Sequence, residues 1–223
     1  GPGAMNTITG VADAMIDSTP MVVICGQVGA AMLGTDAFQE VDVVGVTQPI
    51  SKWNYQIRRA EDIPWAVARA FYIAKSGRPG PVVLDFAKNA QTAMIEYEPQ
   101  TVDFIRSYNP VPTPEQSAIE KAAELINQSV KPLMLVGQGV EIAGAREELL
   151  ALAEKAQIPF GQTMLGLSAA PTHHPLNMGM LGMHGNLAPN VMTNQCDLLI
   201  AVGMRFDDRV TGDLHTYAKQ AKV

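Results

Sequence analysis

Short apolar runs separated by helical patterns constrain this chain more than any other feature. Met21-Val22-Val23-Ile24-Cys25 closes at Gly26, Pro132-Leu133-Met134-Leu135-Val136 at Gly137, and Cys196-Asp197-Leu198-Leu199-Ile200-Ala201-Val202 at Gly203. Pro81-Val82-Val83-Leu84-Asp85-Phe86 is a fourth such run. Runs without alternation suit strands covered on both faces, which are the strands of parallel sheets with helical crossovers. The intervening stretches supply helices. Ile8, Val11, Ala12, Met15 and Ile16 fall at helical spacing. Ile63, Ala66, Val67, Ala70 and Phe71 share a face of a helix that Asp62 caps, Pro64 enters and Gly77-Arg78-Pro79-Gly80 stops.

Weaker signals complete the pattern. Thr35 or Asp36 is placed to cap a short helix, and Val41–Val46 and Lys52–Ile57 read as short strands or loop edges. Thr113-Pro114-Glu115-Gln116 reads as a capping box opening a helix with Ile119, Ala122, Ala123 and Ile126 on its apolar face. Ala143–Ala156 reads as a helix and Ile158-Pro159-Phe160 as a short strand. Residues 161–185 read as a glycine- and methionine-rich loop region, and Ala221-Lys222-Val223 as the start of another strand. Pro99, Pro110, Pro112 and Pro114 mark a linker. The expected fold is α/β: two doubly wound parallel-sheet domains, 1–98 and 114–223, joined by a proline-rich linker at 99–113, both truncated.

Charge narrows the partners. Sixteen Lys and Arg against 22 Asp and Glu give a net charge of −6, without a basic block, which argues against nucleic acid or an anionic membrane surface. No apolar run reaches the roughly 18–20 residues of a membrane helix. The first residues lack the basic and apolar regions of a signal peptide, so a cytoplasmic location is expected. Cys25 and Cys196 lie in or beside apolar runs and read as buried, reduced thiols. Neither CxxC nor HExxH occurs, and His173-His174 reads as solvated loop polarity.

Four segments carry candidate chemistry. Gly137-Gln138-Gly139 follows a strand, but Ile142 stands where a third fingerprint glycine belongs, so ligand loop and tight turn both stay open. Arg205-Phe206-Asp207-Asp208-Arg209 follows the strongest strand and could grip a diphosphate, a ribose or a carboxylate, or form a salt-bridged surface loop. Met178–Gly185 is glycine-rich and apolar, suited to a flat ring or to plain packing. In Gly34–Glu40, local physics favours a capped helix start with Phe38 in the core, and Lys88 reads as a solvated lysine.

Read in order, Gly1-Pro2-Gly3-Ala4, Gly26-Gln27-Val28, Gly34–Glu40, Ser76–Val82, Met180–Gly185 and Arg205–Gly212 resemble the catalytic large subunits of the acetolactate (acetohydroxyacid) synthase family. The resemblance covers nearly the whole chain. It implies a three-domain enzyme using thiamine diphosphate, Mg²⁺ and a structural FAD. Residues 1–98 would be the later part of the pyrimidine-binding domain and 114–223 most of the central FAD-binding domain. The implied reaction decarboxylates pyruvate and joins the remaining two-carbon unit to pyruvate or 2-ketobutyrate, supplying branched-chain amino acid synthesis. A homodimer or higher homo-oligomer and a regulatory small subunit are implied partners.

Site residues follow from the same resemblance. Phe38 and Gln39 would line the active-site channel, with Lys88 at its entrance and Arg209 meeting substrate. Gly137, Gly139, Thr163, Met164, Leu165, Met183, His184, Gly185, Gly203, Arg205, Asp207 and Val210 would contact the flavin. No metal ligand is assigned. The activating glutamate and the metal- and diphosphate-binding domain match nothing in these residues, so the 223-residue chain alone is expected to be inactive. Gly29-Ala30-Ala31 replaces a frequent Pro-Arg-Arg, Gly137-Gln138-Gly139 a frequent triple glycine, and Trp53 a frequent His. Two other classes are similar: sister thiamine enzymes such as glyoxylate carboligase or pyruvate oxidase, and a non-catalytic nucleotide-binding module.

Overall fold

The computed structural model describes residues 1–223. They form two compact α/β units, Gly1–Thr113 and Pro114–Val223.

The first unit contains α1 (Pro2–Met5), α2 (Ile8–Ile16), β1 (Met21–Gln27), α3 (Val43–Thr47), β2 (Trp53–Ile57), α4 (Ile63–Lys75), β3 (Pro81–Ala87) and α5 (Lys88–Thr92). Its sheet is parallel, in the order β1-β3-β2. The central strand, β3, is the most buried, because only there are both faces and both edges covered. Val82 and Leu84 pack with Ile57 against Ala66, Ala70, Ile73 and Ala74 of α4. On the opposite face Val83 and Cys25 meet Ala4, Val11 and Val43.

The second unit contains α6 (Gln116–Gln128), β4 (Pro132–Val136), α7 (Gly139–Ile142), α8 (Arg146–Ala156), β5 (Phe160–Gln162), β6 (Asn177–Met180), α9 (Leu187–Thr193), β7 (Leu198–Val202) and α10 (Asp208–Thr211). Its sheet is parallel, in the order β6-β5-β4-β7. Met134, Val136 and Phe160 pack on Leu149 and Ala153 of α8. Leu133, Leu135 and Leu199 form the other face with Leu181, Cys196 and Ala218. The α/β class with parallel sheets is the one expected.

Local departures have identifiable causes. Val43–Thr47 is a helix, not a strand: Asp42 Oδ1 accepts the Gly45 N–H at 2.9 Å, and this cap overrides the β preference of the valines. No helix follows Thr35 or Asp36. Asp36 and Gln39 take left-handed backbone (φ +58° and +64°), and Glu40 accepts from Ala37 N at 3.0 Å and from Gly34 N. Asp62 stands at the start of α4 yet caps it with no side-chain bond; its carboxylate pairs with Arg59 at 2.8 Å, which holds it below the usual carboxyl range. Phe71 is 58% exposed, so the α4 core face is narrower than its periodicity suggests.

In the second unit α6 begins at Gln116 with Glu115 before it, and Thr113 caps nothing. Ile119 is half exposed, and only Ile126 of the expected apolar face packs on the core. Gly144 (φ +65°) delays α8 to Arg146. The strand expected at 158–160 lies at Phe160–Gln162, because Pro159 has no N–H for the ladder. The glycine- and methionine-rich stretch contains β6, turned through Gly179 at φ +94°. Lys222 forms a parallel bridge to Leu198, as the tail's β pattern suggests.

The proline-rich segment is not free-standing. Ile105 is buried against the α4 cluster and Tyr108 Oη lies 3.1 Å from Ser76 Oγ, within the first unit. Cys25 and Cys196 are buried and unpaired, and burial pushes both thiols up. His174 is packed rather than solvated: its ring lies 5.6 Å from Phe160 and Nε2 is 3.1 Å from Glu154 Oε1. No helix is long and apolar enough to cross a membrane.

Candidate functional site

Ligands of open parallel sheets gather beyond the carboxyl ends of the strands. In the second unit Met180, Gln162, Val136 and Val202 stand in one register row across β6, β5, β4 and β7. Every predicted flavin-contacting residue follows that row. Met183, His184 and Gly185 come after β6, and Thr163, Met164 and Leu165 after β5. Gly137 and Gly139 come after β4, with Gly203, Arg205, Asp207 and Val210 after β7. One parallel sheet gathers residues from four separate sequence segments.

The glycines set how closely these loops approach. Gly137 N–H donates to Val202 O at 2.9 Å and Gly139 N–H to Gly203 O at 2.8 Å. A Cβ on Gly137 would stand 2.3 Å from Gly203 O, and one on Gly139 2.5 Å from Gly203 Cα. Gly203 takes φ +62°. Both donors are therefore spent within the protein, and the glycine pair is first of all a tight crossing of two loops. Of the two readings of Gly137-Gln138-Gly139, the tight turn describes its backbone.

The ligand-facing groups are side chains. Met164 is 65% exposed and Met183 58%, with Leu165 also exposed, so apolar groups stand open at the strand ends. Arg205 and His184 are exposed. Arg205 Nη2 lies 3.5 Å from Asp207 Oδ2, and Asp207 Oδ1 accepts from Arg209 N at 3.0 Å and Val210 N at 3.2 Å, capping the start of α10. Met183 N donates to Arg209 O at 2.7 Å, and Arg209 Nη1 reaches Met183 Sδ at 3.6 Å. The open thioethers and Leu165 suit a flat aromatic ring, and Arg205 suits an anion; on chemistry the residues fit a flavin nucleotide.

The first unit places Phe38 and Gln39 in the loop after β1, and Lys88 directly after β3. All three are exposed; Phe38, at 88%, is not the core residue that local physics favours. Arg209 belongs to the other unit. Beneath the loop lies a polar row. Asp85, 0% exposed, accepts on Oδ2 from Gln27 Nε2 at 3.1 Å and Gln56 Nε2 at 2.9 Å, and its Oδ1 has no partner. Sequence reasoning assigned no role to Gln27, Gln56 or Asp85. The available signal was a carboxylate inside an otherwise apolar strand run, which a buried strand keeps only with partners.

Two other hollows contain no predicted site residue. A polar cleft of about 620 Å³ lies along β2 beside Asp42, Arg58 and Asp62. A smaller one, about 300 Å³, opens near Pro132 and Cys196 at the opposite strand ends from the flavin-fitting edge. No group of three or more His, Cys, Asp or Glu side chains could hold a metal ion.

Fold and edge geometry define an α/β protein with cofactor-binding architecture, and the comparisons specify the class. The family described as the thiamine pyrophosphate enzyme central domain matches residues 119–223, and that of the N-terminal TPP binding domain matches residues 1–46. The chain belongs to the thiamine pyrophosphate enzyme family. Over its whole length it is 49% identical to the acetolactate synthase large subunit of Corynebacterium glutamicum. It is 47% identical to the probable acetolactate synthase large subunit of Methanocaldococcus jannaschii and 46% to the isozyme 1 large subunit of Escherichia coli. The chain spans 36–39% of the length of these relatives.

Proposed function

We propose that this chain is part of an acetolactate synthase large subunit. The observation that carries the reading is a match across 100% of the chain, at 46–49% identity, to proteins of that name. The proposed reaction uses thiamine diphosphate with Mg²⁺: pyruvate is decarboxylated, and the retained two-carbon unit is joined to pyruvate or 2-ketobutyrate. The products are 2-acetolactate and 2-aceto-2-hydroxybutyrate. Residues 1–98 would serve as part of the pyrimidine-binding domain, 99–113 as its connection, and 114–223 as the FAD-binding domain.

The roles of the chain's own residues rest on the family resemblance, and their charge and exposure are compatible with it. Phe38 offers an apolar wall and Gln39 an amide at the substrate, while Lys88 and Arg209 supply positive charge to carboxylate substrates. Arg205 would hold the FAD diphosphate, with Met164, Leu165 and Met183 against the ring, and FAD would serve structure rather than redox turnover. Thr163, His184, Gly185, Asp207 and Val210 complete that wall, and Gly137, Gly139 and Gly203 set its depth. A homodimer or higher homo-oligomer, a regulatory small subunit and a cytoplasmic setting complete the reading; the two unpaired buried thiols support the last.

The test is acetolactate formation from pyruvate by the complete enzyme that carries these residues, with flavin content measured in parallel. Arg205→Ala should lower FAD affinity by roughly tenfold, the size expected for one lost charge-assisted contact. Absence of acetolactate, with glyoxylate condensation or acetyl phosphate formation in its place, would overturn the assignment.

A further inference from the structure

Gln27 is the last residue of β1 and is 6% exposed. Its carboxamide reaches both ends of the loop that follows. Oε1 accepts the Val28 N–H at 2.9 Å, and Nε2 donates to Val41 O at 2.8 Å. The second hydrogen of the same NH₂ goes to Asp85 Oδ2 at 3.1 Å. Asp85 Oδ2 and Val41 O both accept, so together they fix which end of the amide is nitrogen, and Gln56 holds the same Asp85 oxygen from the other side. One side chain, oriented from the sheet interior, thus closes a loop whose ends are far apart in sequence.

The loop it closes carries Phe38 and Gln39, and its conformation is not a relaxed one. Asp36 and Gln39 are non-glycine residues with φ +58° and +64°. Such backbone persists where surrounding contacts over-determine it. Within the loop the Glu40 carboxylate gathers the Ala37 and Gly34 N–H groups. Outside it, Val28 O accepts the Lys88 N–H at 3.3 Å, and Asn89 Oδ1 accepts the Ala30 N–H at 2.8 Å. The Gln27-Val28 dipeptide therefore anchors the Phe38–Gln39 loop and the segment that starts with Lys88.

We propose that Gln27, oriented by Asp85, is a latch that joins both ends of loop 28–41 and positions Phe38 and Gln39 with respect to Lys88. What the positioned loop binds, a 2-keto acid, rests on the proposed function; the latch itself does not. Gln27 is a positioning residue: it is 6% exposed, and both ends of its amide are held by Val28, Val41 and Asp85.

The experiment uses the complete enzyme with Gln27→Met, which keeps the length and bulk and removes donor and acceptor, and Asp85→Asn as a second variant that lets the amide turn over. Gln116→Met, on exposed α6, is the control. Amide hydrogen exchange is followed in residues 28–41 and in β3, with kcat and KM for pyruvate and 2-ketobutyrate. Gln27→Met should speed exchange in 28–41 about tenfold while β3 changes less than about twofold, as for a local opening. KM should rise roughly tenfold with kcat within about threefold, the pattern of lost substrate positioning in the ground state. Asp85→Asn should reproduce the loop exchange at smaller amplitude, and it carries the test if Gln27→Met does not fold. Unchanged exchange in 28–41, or equal acceleration in β3, would overturn the latch. A wild-type enzyme that makes no acetolactate, with loop exchange still responding to Gln27→Met, would uphold the latch and overturn the function.

Discussion

Both units end a strand with a buried glutamine that reaches across the loop behind it, and the two loops are held in different ways. Gln27 closes β1 and bridges Val28 to Val41. Gln162 closes β5, is 2% exposed, donates to Gly166 O at 2.8 Å and accepts from Asn177 Nδ2 at 2.9 Å. The loop behind Gln162, residues 163–176, opens with a tight turn over Met164–Gly166 whose path is already set by glycine packing: a Cβ on Gly166 would stand 2.4 Å from Val136 O. The loop behind Gln27 is long and has open space at Gly29 and Gly34. The Gln162 loop is set by backbone contact at its start, and the Gln27 loop by side chains that reach across it. The flavin-fitting edge is accordingly built to be rigid, while the Phe38–Gln39 loop depends on a few replaceable hydrogen bonds.

The comparison breaks most readily at the glycines. Gly137→Ala drives a methyl into the Gly203 carbonyl and should cost the second unit about 3 kcal/mol, as overpacking against backbone does. Gly29→Ala in the first unit meets nothing within 4 Å and should change stability by less than about 0.5 kcal/mol. Separate calorimetric transitions for the two units would read both; equal effects would remove the distinction between backbone-set and side-chain-set loops.

Gln162→Met should come next. It strands Gly166 O and Asn177 in a buried site and should destabilise the second unit as a whole by about 2 kcal/mol. Denaturant unfolding followed by exchange in β4 and β5 checks this, and a purely local response would make Gln162 a latch like Gln27.

Tyr217 sharpens the contrast from the other side. Its hydroxyl is buried without a partner, and burial pushes its pKa up to about 12. Tyr217→Phe should therefore stabilise the second unit by about 1 kcal/mol, because a desolvated donor disappears. The raised value means that the folded state favours the neutral phenol. That contribution is whole below pH 10 and is lost as pH rises towards 12, so the wild type should lose stability there faster than Tyr217→Phe.

The smallest effect is expected in acid. Hydrogen bonds from Gly34 N and Ala37 N hold the Glu40 carboxyl below its ordinary 4.5, and Ser129 with the Val130 N–H holds Asp197 below 3.8. A lowered value contributes stability that is present above the ordinary one and drains as pH falls through the folded one. Exchange in 34–40 should rise below about pH 4, and Glu40→Gln should flatten that dependence. A loop indifferent to acid in the wild type would show that Glu40 holds nothing.

Much of this was legible in the residues. The runs at 21–25, 81–86, 132–136 and 196–202 became four parallel strands, because uninterrupted apolar runs can be solvated on neither face. The candidate residues after β4 and β7 could be found by the same logic, since glycine marks where a strand must turn. Val43–Thr47 could not, because one Asp42 hydrogen bond decided between two conformations of similar energy. β6 was hidden because glycine and methionine carry little β preference, and its pairing to β5 comes from register alone.

The sequence by itself determined the parallel α/β class, the positions of the buried strands and the segments able to meet a ligand, since burial on two faces leaves a continuous apolar run that local reading detects. Only the tertiary structure decided that the Gly137 and Gly139 amides are spent on Val202 and Gly203, that His174 packs on Phe160, and that Gln27 spans a loop from Val28 to Val41. Those outcomes depend on which atoms meet across the fold, and a hydrogen bond between residues distant in sequence leaves no period along the chain.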